Sequence, residues 1–135
     1  MIFKKVREIK SKEGVVHFRR FQILKFGKLG GIYLHYFTQP DKDEHEHDHP
    51  WDFSSFVLKG AYLERYDVYK SRLRQFPSFR RYKAEDCHRI ADLVNGKPCW
   101  TLVFMGKRRR VWGYKTNKGW MDHKEYRSKK RAGLI

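Results

Sequence analysis

Short runs of alternating aromatic, β-branched and polar residues, each cut off by a glycine, a proline or an Asn-Gly pair, constrain this chain more than any other feature. Val15–Leu24, Gly31–Thr38, Phe53–Lys59, Ala61–Tyr69, Cys99–Met105 and Val111–Tyr114 each read as a strand. The turns between them are Gly27-Lys-Leu-Gly-Gly31, Pro40, Gly60, Pro77, Asn95-Gly96 and Gly106. Paired glycines and Asn-Gly accept positive φ, so both predict hairpin-type reversals. Weak alternation extends the pattern to the start of the chain, Ile2 and Phe3 included. A short helix is expected within Gly119–Arg127, and a basic tail from about residue 122. No internal repeat and no long amphipathic helix interrupts the series. Strands at a spacing of about 8–12 residues predict an all-β barrel or sandwich. At 135 residues that is one domain spanning the chain, 1–135.

Charge is distributed unevenly along this framework. Segment 41–52 carries six acids against one lysine, which leaves +21 for the rest of a chain whose net charge is +16. A local cation site inside a surface that attracts anions accounts for that separation. The expected partners are therefore an anionic small-molecule substrate or nucleic acid, with no membrane and with a homodimer left open. Cys87 and Cys99 fit neither a zinc-finger spacing nor a disulfide framework and read as reduced, part-buried hydrophobes. Met1-Ile-Phe runs at once into Lys4-Lys5, and no apolar run approaches membrane-spanning length, so a cytoplasmic protein is expected.

The acidic segment holds the chemistry. In Asp41-Lys-Asp-Glu-His-Glu-His-Asp-His-Pro-Trp-Asp52, alternation places His45, His47 and His49 on one face and Glu44, Glu46 and Asp48 on the other. Two imidazoles at i and i+2 converge on one cation when their strand faces a cavity. Neutral imidazole suits several transition metals, which leaves Fe, Mn, Ni and Zn open. His45 with His47 is the alternative pair, but Pro50 and the interval to Gly60 favour His47 and His49.

His47-Asp-His49-Pro50 followed by Phe56-Val-Leu-Lys-Gly60 resembles the first conserved motif of the cupin superfamily, in which two histidines one residue apart precede a Glu and a hydrophobic strand ending in Gly. The resemblance runs from His47 to Gly106. It implies a double-stranded β-helix (jelly-roll) barrel and one divalent metal, with His88 as the third histidine, from the second motif. Two positions depart from the pattern. Phe53 stands where the Glu is expected, so the carboxylate falls to Asp52, to Glu64 on the next strand, or is replaced by water. The Asn of the second motif is absent, with Asp92 nearest its place. Trp100–Tyr114 is similar to the C-terminal part of small bacterial and phage cupin-like proteins.

What the resemblance implies about function is a metal-dependent enzyme of oxygenase (dioxygenase), isomerase or hydrolase type. Tyr62, Glu64 and Tyr66 are then the candidate proton shuttles. Arg108, Arg110 and Trp112 are the candidates for gripping an anionic substrate. The competing expectations are a basic, aromatic-lined barrel that binds nucleic acid around a structural metal, and a cupin that binds a small metabolite without chemistry. His17, His35 and His123 are expected to be surface or packing residues.

Overall fold

The computed structural model describes residues 4–135; Ile2 and Phe3 of the first alternating run lie outside them. Eleven strands are formed among these residues: β1 (Lys4–Lys10), β2 (Val16–Lys25), β3 (Gly31–Phe37), β4 (Phe53–Lys59), β5 (Ala61–Tyr66), β6 (Lys70–Gln75), β7 (Phe79–Tyr82), β8 (His88–Leu93), β9 (Cys99–Met105), β10 (Gly113–Thr116) and β11 (Gly119–Asp122). One helix, α1 (His123–Arg131), follows. The strands make a jelly-roll barrel: the all-β class is the one expected from their spacing, and the jelly-roll form the one implied by the resemblance.

One wall is a six-stranded antiparallel sheet in the order β1-β2-β3-β9-β4-β7. The facing wall is the sheet β6-β5-β8 together with the hairpin β10-β11. A single extended stretch, residues 46–49, stitches these two pieces into one surface. His47 N donates to His88 O (2.9 Å) and His88 N to His47 O (3.0 Å), while Asp48 N donates to Gly113 O (3.0 Å) and Lys115 N to Glu46 O (2.9 Å). The histidine segment is thus a one-rung strand between β8 and β10, and this pairing orients its side chains.

Turn chemistry is as the residues dictate, although two turns do not make hairpins. Asn95 and Gly96 adopt φ of 56° and 64°, the reversal expected of them, but they carry the chain from β8 in one wall to β9 in the other. Gly60 likewise moves the chain between walls, from β4 to β5. Its φ is +85°, and a Cβ there would lie 2.5 Å from Pro98 O, so both backbone geometry and space demand glycine.

Inward-facing side chains close one end of the barrel. Phe37, Val57, Tyr62, Leu93 and Cys99 form a buried cluster there, flanked by Phe18 and Ile90. Each buried aliphatic or aromatic group contributes roughly 1.5–3 kcal/mol. A second cluster, Phe53, Tyr82 and Val103, lies toward the histidine end. The expected basic tail is instead structured. Residues 119–122 form a strand, Asp122 caps α1 by accepting from Lys124 N (2.8 Å), and Tyr126 stacks on Tyr114 at 3.8 Å between ring centres. Burial of Tyr126 docks the helix, and Lys130, one turn further on the same face, pairs with Asp43. No helix among the described residues is long and apolar enough to cross a membrane.

Candidate metal centre

Alternation in the 46–49 stretch sets the site, and two buried acids hold the stretch in place. Asp48, 2% exposed, accepts from Gly113 N (2.6 Å) and Trp120 Nε1 (2.8 Å) and pairs with Arg110 (2.9 Å). Glu46 accepts from Val68 N at 2.8 Å. With these acids turned away from the barrel, His47 and His49 turn into it. His45 does not join them, because its Nδ1 is hydrogen-bonded to Tyr126 OH at 2.8 Å.

His88, at the start of β8, completes the group. One ring nitrogen from each of His47, His49 and His88 lies within 4.8 Å of the others, and the ring centres are 4.9–5.1 Å apart. His49 Nε2 and His88 Nε2 are separated by 3.3 Å. Metal–nitrogen bonds of about 2.0–2.1 Å set the ligand nitrogens about 2.9–3.4 Å apart around one ion, so this spacing fits a shared cation. Burial, above all, holds both His47 and His49 below the ordinary histidine pKa, and the neighbouring imidazoles depress His49 further. Both rings are therefore neutral near pH 7, the form in which imidazole ligates. His49 Nδ1 is also buried without a hydrogen-bond partner.

Behind His88 stands a buried carboxylate. Glu64, fully buried, is 2.6 Å from His88 Nδ1 through Oε2, which also accepts from Tyr82 OH (2.7 Å), while its Oε1 accepts from Arg72 Nε (2.6 Å). Burial by itself would raise this carboxyl; the bonds from His88 and Tyr82 and the charge of Arg72 outweigh it and lower the pKa to about 2. The bond fixes the His88 ring with Nε2 toward His49, the role of a carboxylate behind a ligating histidine. Tyr82 OH in turn accepts from Arg74, which is 1% exposed and uses all five of its N–H groups on Tyr62 OH, Tyr82 OH, Ser55 O, Ser78 O and Ser78 Oγ.

The remaining sequence candidates fall in different places. Asp52 is not among the grouped ligands: it is 54% exposed, accepts from Ala84 N, and pairs with Arg109 at 2.7 Å. The side chain following His49 on the inner face is Phe53, whose ring meets His49 at 4.5 Å. Where the resemblance leads one to expect a carboxylate there is thus an aromatic wall, and the acid of the site, Glu64, sits one shell further out. Tyr62 is bound to Arg74, while Tyr66 lies under the Arg72 guanidinium at 3.7 Å, opposite His88 across the β5–β8 pairing, and lines a small cavity with Arg72, Tyr82 and His88. Arg110 is committed to Asp48 and to the carbonyl of His49 (3.1 Å), which makes it a brace and not a free anion clamp. Trp112 stacks on His123 at 4.5 Å and backs the His47 ring at 6.3 Å. Arg108 is exposed, on the rim of a cleft of about 810 Å³ lined also by Lys25, Lys28, Tyr33, Trp51 and Lys107. Trp51 stacks on His49 at 5.4 Å, so it belongs both to the cleft and to the histidine cluster.

Two inner-face residues have contacts that the sequence did not single out. Arg20 carries no local mark of importance. His35, expected at the surface or in packing, points into the barrel and accepts from Arg20 Nε at 2.9 Å. Strict alternation with Phe37, a core residue two positions on, is the signal that places His35 inside.

No sequence-family model matches the chain, and no curated protein is significantly similar to it in sequence. Solved structures do match. A cupin-2 domain from Rhodospirillum rubrum is 12% identical, with a TM-score of 0.65 over 98% of this chain and 89% of that one. The polyketide cyclase RemF from Streptomyces resistomycificus is 14% identical, with a TM-score of 0.62 over the same shares. A chain from the DMSP lyases RdDddP and RnDddQII is 21% identical, with a TM-score of 0.52 over 66% of this chain, and the match spans only 47% of that longer protein.

Proposed function

The chain is a cupin by fold, and from that premise we propose that it is a metal-dependent enzyme acting on an anionic substrate, with His47, His49 and His88 as the metal ligands. The observation that carries this reading is the convergence of three imidazoles, two of them held neutral, with the third oriented by a buried carboxylate. An all-nitrogen donor set suits Fe, Mn, Ni or Zn. A divalent metal held there would supply Lewis acidity toward a carbonyl or phosphoryl oxygen and, if redox-active, electrons.

The chain's own residues prepare that chemistry. Glu64 holds the proton of His88 on Nδ1 and leaves Nε2 free to ligate. Phe53 and Trp51 cover His49 with aromatic surface and keep water from that side of the ring. Lys25, Lys28, Lys107 and Arg108 around the cleft beside Trp51 attract anions toward the opening. Since the side-chain carboxylate nearest the histidines is engaged behind His88, the acid–base groups of the early expectation act here as supports. The cyclase and lyase names of two structural neighbours favour an enzyme over a passive binder, and leave oxygenase and isomerase types both open.

Elemental analysis of protein purified without added metal tests the site. The wild type is expected to carry close to stoichiometric metal, and His47→Ala and His49→Ala to lose it while remaining folded by circular dichroism. Unchanged metal content in both variants refutes the ligand assignment.

A further inference from the structure

Among the arginines of the barrel, Arg20 stands apart. It projects from β2 onto the inner face of the six-stranded sheet, opposite His35 on β3, which lies opposite Thr101 on β9. Its neighbour Arg19, on the outer face, pairs with Glu8 at 2.6 Å, and Arg72, Arg109 and Arg110 each have a carboxylate as well. Arg74 has all five donors occupied. Arg20 makes one hydrogen bond among the described residues, from Nε to His35 Nε2, and no ion pair.

No carboxylate among the described residues meets this guanidinium. Phe18 and Tyr33 pack against it at 5.7 and 5.8 Å, and the nearest charge bearing on it is a second cation, Arg7. Burial, foremost, pushes its pKa down to about 10. His35 must accept from Arg20 and so is neutral and protonated on Nδ1; burial first, then the two arginines, hold it well below its ordinary pKa. A half-buried cation without a counterion is costly unless an anion arrives to meet it. Arg20 packs on Tyr33, Tyr33 and Trp51 line one cleft, and Trp51 stacks on His49, so an anion seated here is joined to the histidine cluster by a continuous run of side chains.

We propose that Arg20, held in place by His35, is the seat of a substrate carboxylate inside the barrel. With Nε spent on His35, the guanidinium presents Nη1 and Nη2 as an in-plane pair of donors, which matches the two oxygens of a carboxylate. One guanidinium balances one negative charge. His35 accepts and adds no donor at Nε2, and Arg7 is exposed, so the seat lacks the donors a phosphate dianion requires. Tyr33 touches both Arg20 and the cleft that holds Trp51, so the remainder of a bound acid extends along Tyr33 toward Trp51. This assignment rests on the metal-enzyme reading above and names the substrate class of that same site.

Titration calorimetry of the metal-loaded protein with acetate, benzoate and 2-naphthoate, beside benzamide and inorganic phosphate, tests the seat. At least one of the carboxylates is expected to bind, benzamide not to bind, and phosphate to bind more weakly than the best carboxylate. Arg20→Gln is expected to weaken that carboxylate by about ten- to hundred-fold, the loss of a charge-assisted pair, with metal content unchanged. Arg20→Lys keeps the charge and loses the fork, and is expected to fall between the two. Absence of binding by every carboxylate, equal binding of benzamide, tighter binding of phosphate, or full affinity in Arg20→Gln or Arg20→Lys overturns the proposal. Metal content, measured on the same samples, reports separately on the histidine site, so a protein that holds metal but ignores carboxylates refutes the seat alone.

Discussion

Replacing Glu64 with Gln isolates the link between the barrel core and the histidine site. The carboxylate takes three donors, Arg72 Nε, Tyr82 OH and His88 Nδ1, all within 2.6–2.7 Å and out of water. An amide offers one acceptor oxygen in place of two. Whichever way it is turned, its NH₂ faces a donor, and the charges of Arg72 and Arg74 lose their buried counterpart. The size of the effect follows from acidity. This carboxyl is lowered to about 2 from an ordinary 4.5. In the metal-free protein that displacement corresponds to about 3 kcal/mol of stability. Because the folded-state group is the more acidic, this stabilisation is present in full above about pH 4.5 and is lost as the pH falls toward 2. A loss of about 3–5 kcal/mol is also the usual result of breaking a buried ion pair from one side. Metal affinity should fall by about 10–100-fold as His88 loses its anchor. Urea unfolding of the metal-free protein at pH 7 measures the first quantity, and competition with a chromophoric chelator the second. Glu8→Gln is the control: Glu8 is held comparably low, chiefly by Arg19, but it lies on the outer side of the sheet among the half-exposed side chains of Arg19, Lys5 and Lys10, where water screens the pair. The reasoning is refuted if Glu64→Gln is as stable as the Glu8→Gln control and binds metal as tightly as the wild type.

Arg74→Met removes the cation whose five N–H groups tie together Tyr62, Tyr82, Ser55 and Ser78, and should cost about 3–5 kcal/mol in urea unfolding. Arg74→Lys should not rescue it, since three ammonium donors cannot reach five acceptors; full rescue would show that charge alone is needed. His35, His47 and His49 all have pKa values depressed by burial, so the unfolded chain takes up protons below about pH 6.5 that the folded chain refuses. Stability of the metal-free protein should hold above that pH and fall below it, by up to about 1.4 kcal/mol per pH unit for each histidine. A flatter acid limb is expected in His35→Gln, and an unchanged slope there would place the proton uptake elsewhere.

Strand-level structure was readable from the residues because its causes are local. Alternation in Gly31–Thr38 and in Ala61–Tyr66, and glycine at Gly60, act within a few residues; the expected run to Tyr69 stops early because Asp67 and Val68 turn at positive φ, which no glycine or Asn-Gly pair marks. After Met121 a short helix was expected and is present, but the solvated tail was not found, for the same reason. A run of lysines and arginines looks like a solvated tail until Tyr126 is seen to stack on Tyr114, twelve positions away in sequence. At Asn95-Gly96 the local dihedrals were right and the partner strands were not, since φ and ψ of two residues carry no information about which wall each strand joins.

The histidine cluster divides along the same line. That His47 and His49 share a face, one residue apart and ahead of a glycine-terminated strand, follows from the residues alone, because a period of two is a property of any extended backbone. Contacts across the closed barrel settle that His88 meets them, that Asp52 turns out to Arg109, that Glu64 stands behind His88, and that Arg20 on the facing wall has no carboxylate partner among the described residues. The first of these depends on pairing between segments distant in the chain, His47 with His88, and the others on side chains brought together across strands. Burial and charge compensation are sums over everything packed around a group, and that set of neighbours exists only once the two walls of the barrel have closed on each other.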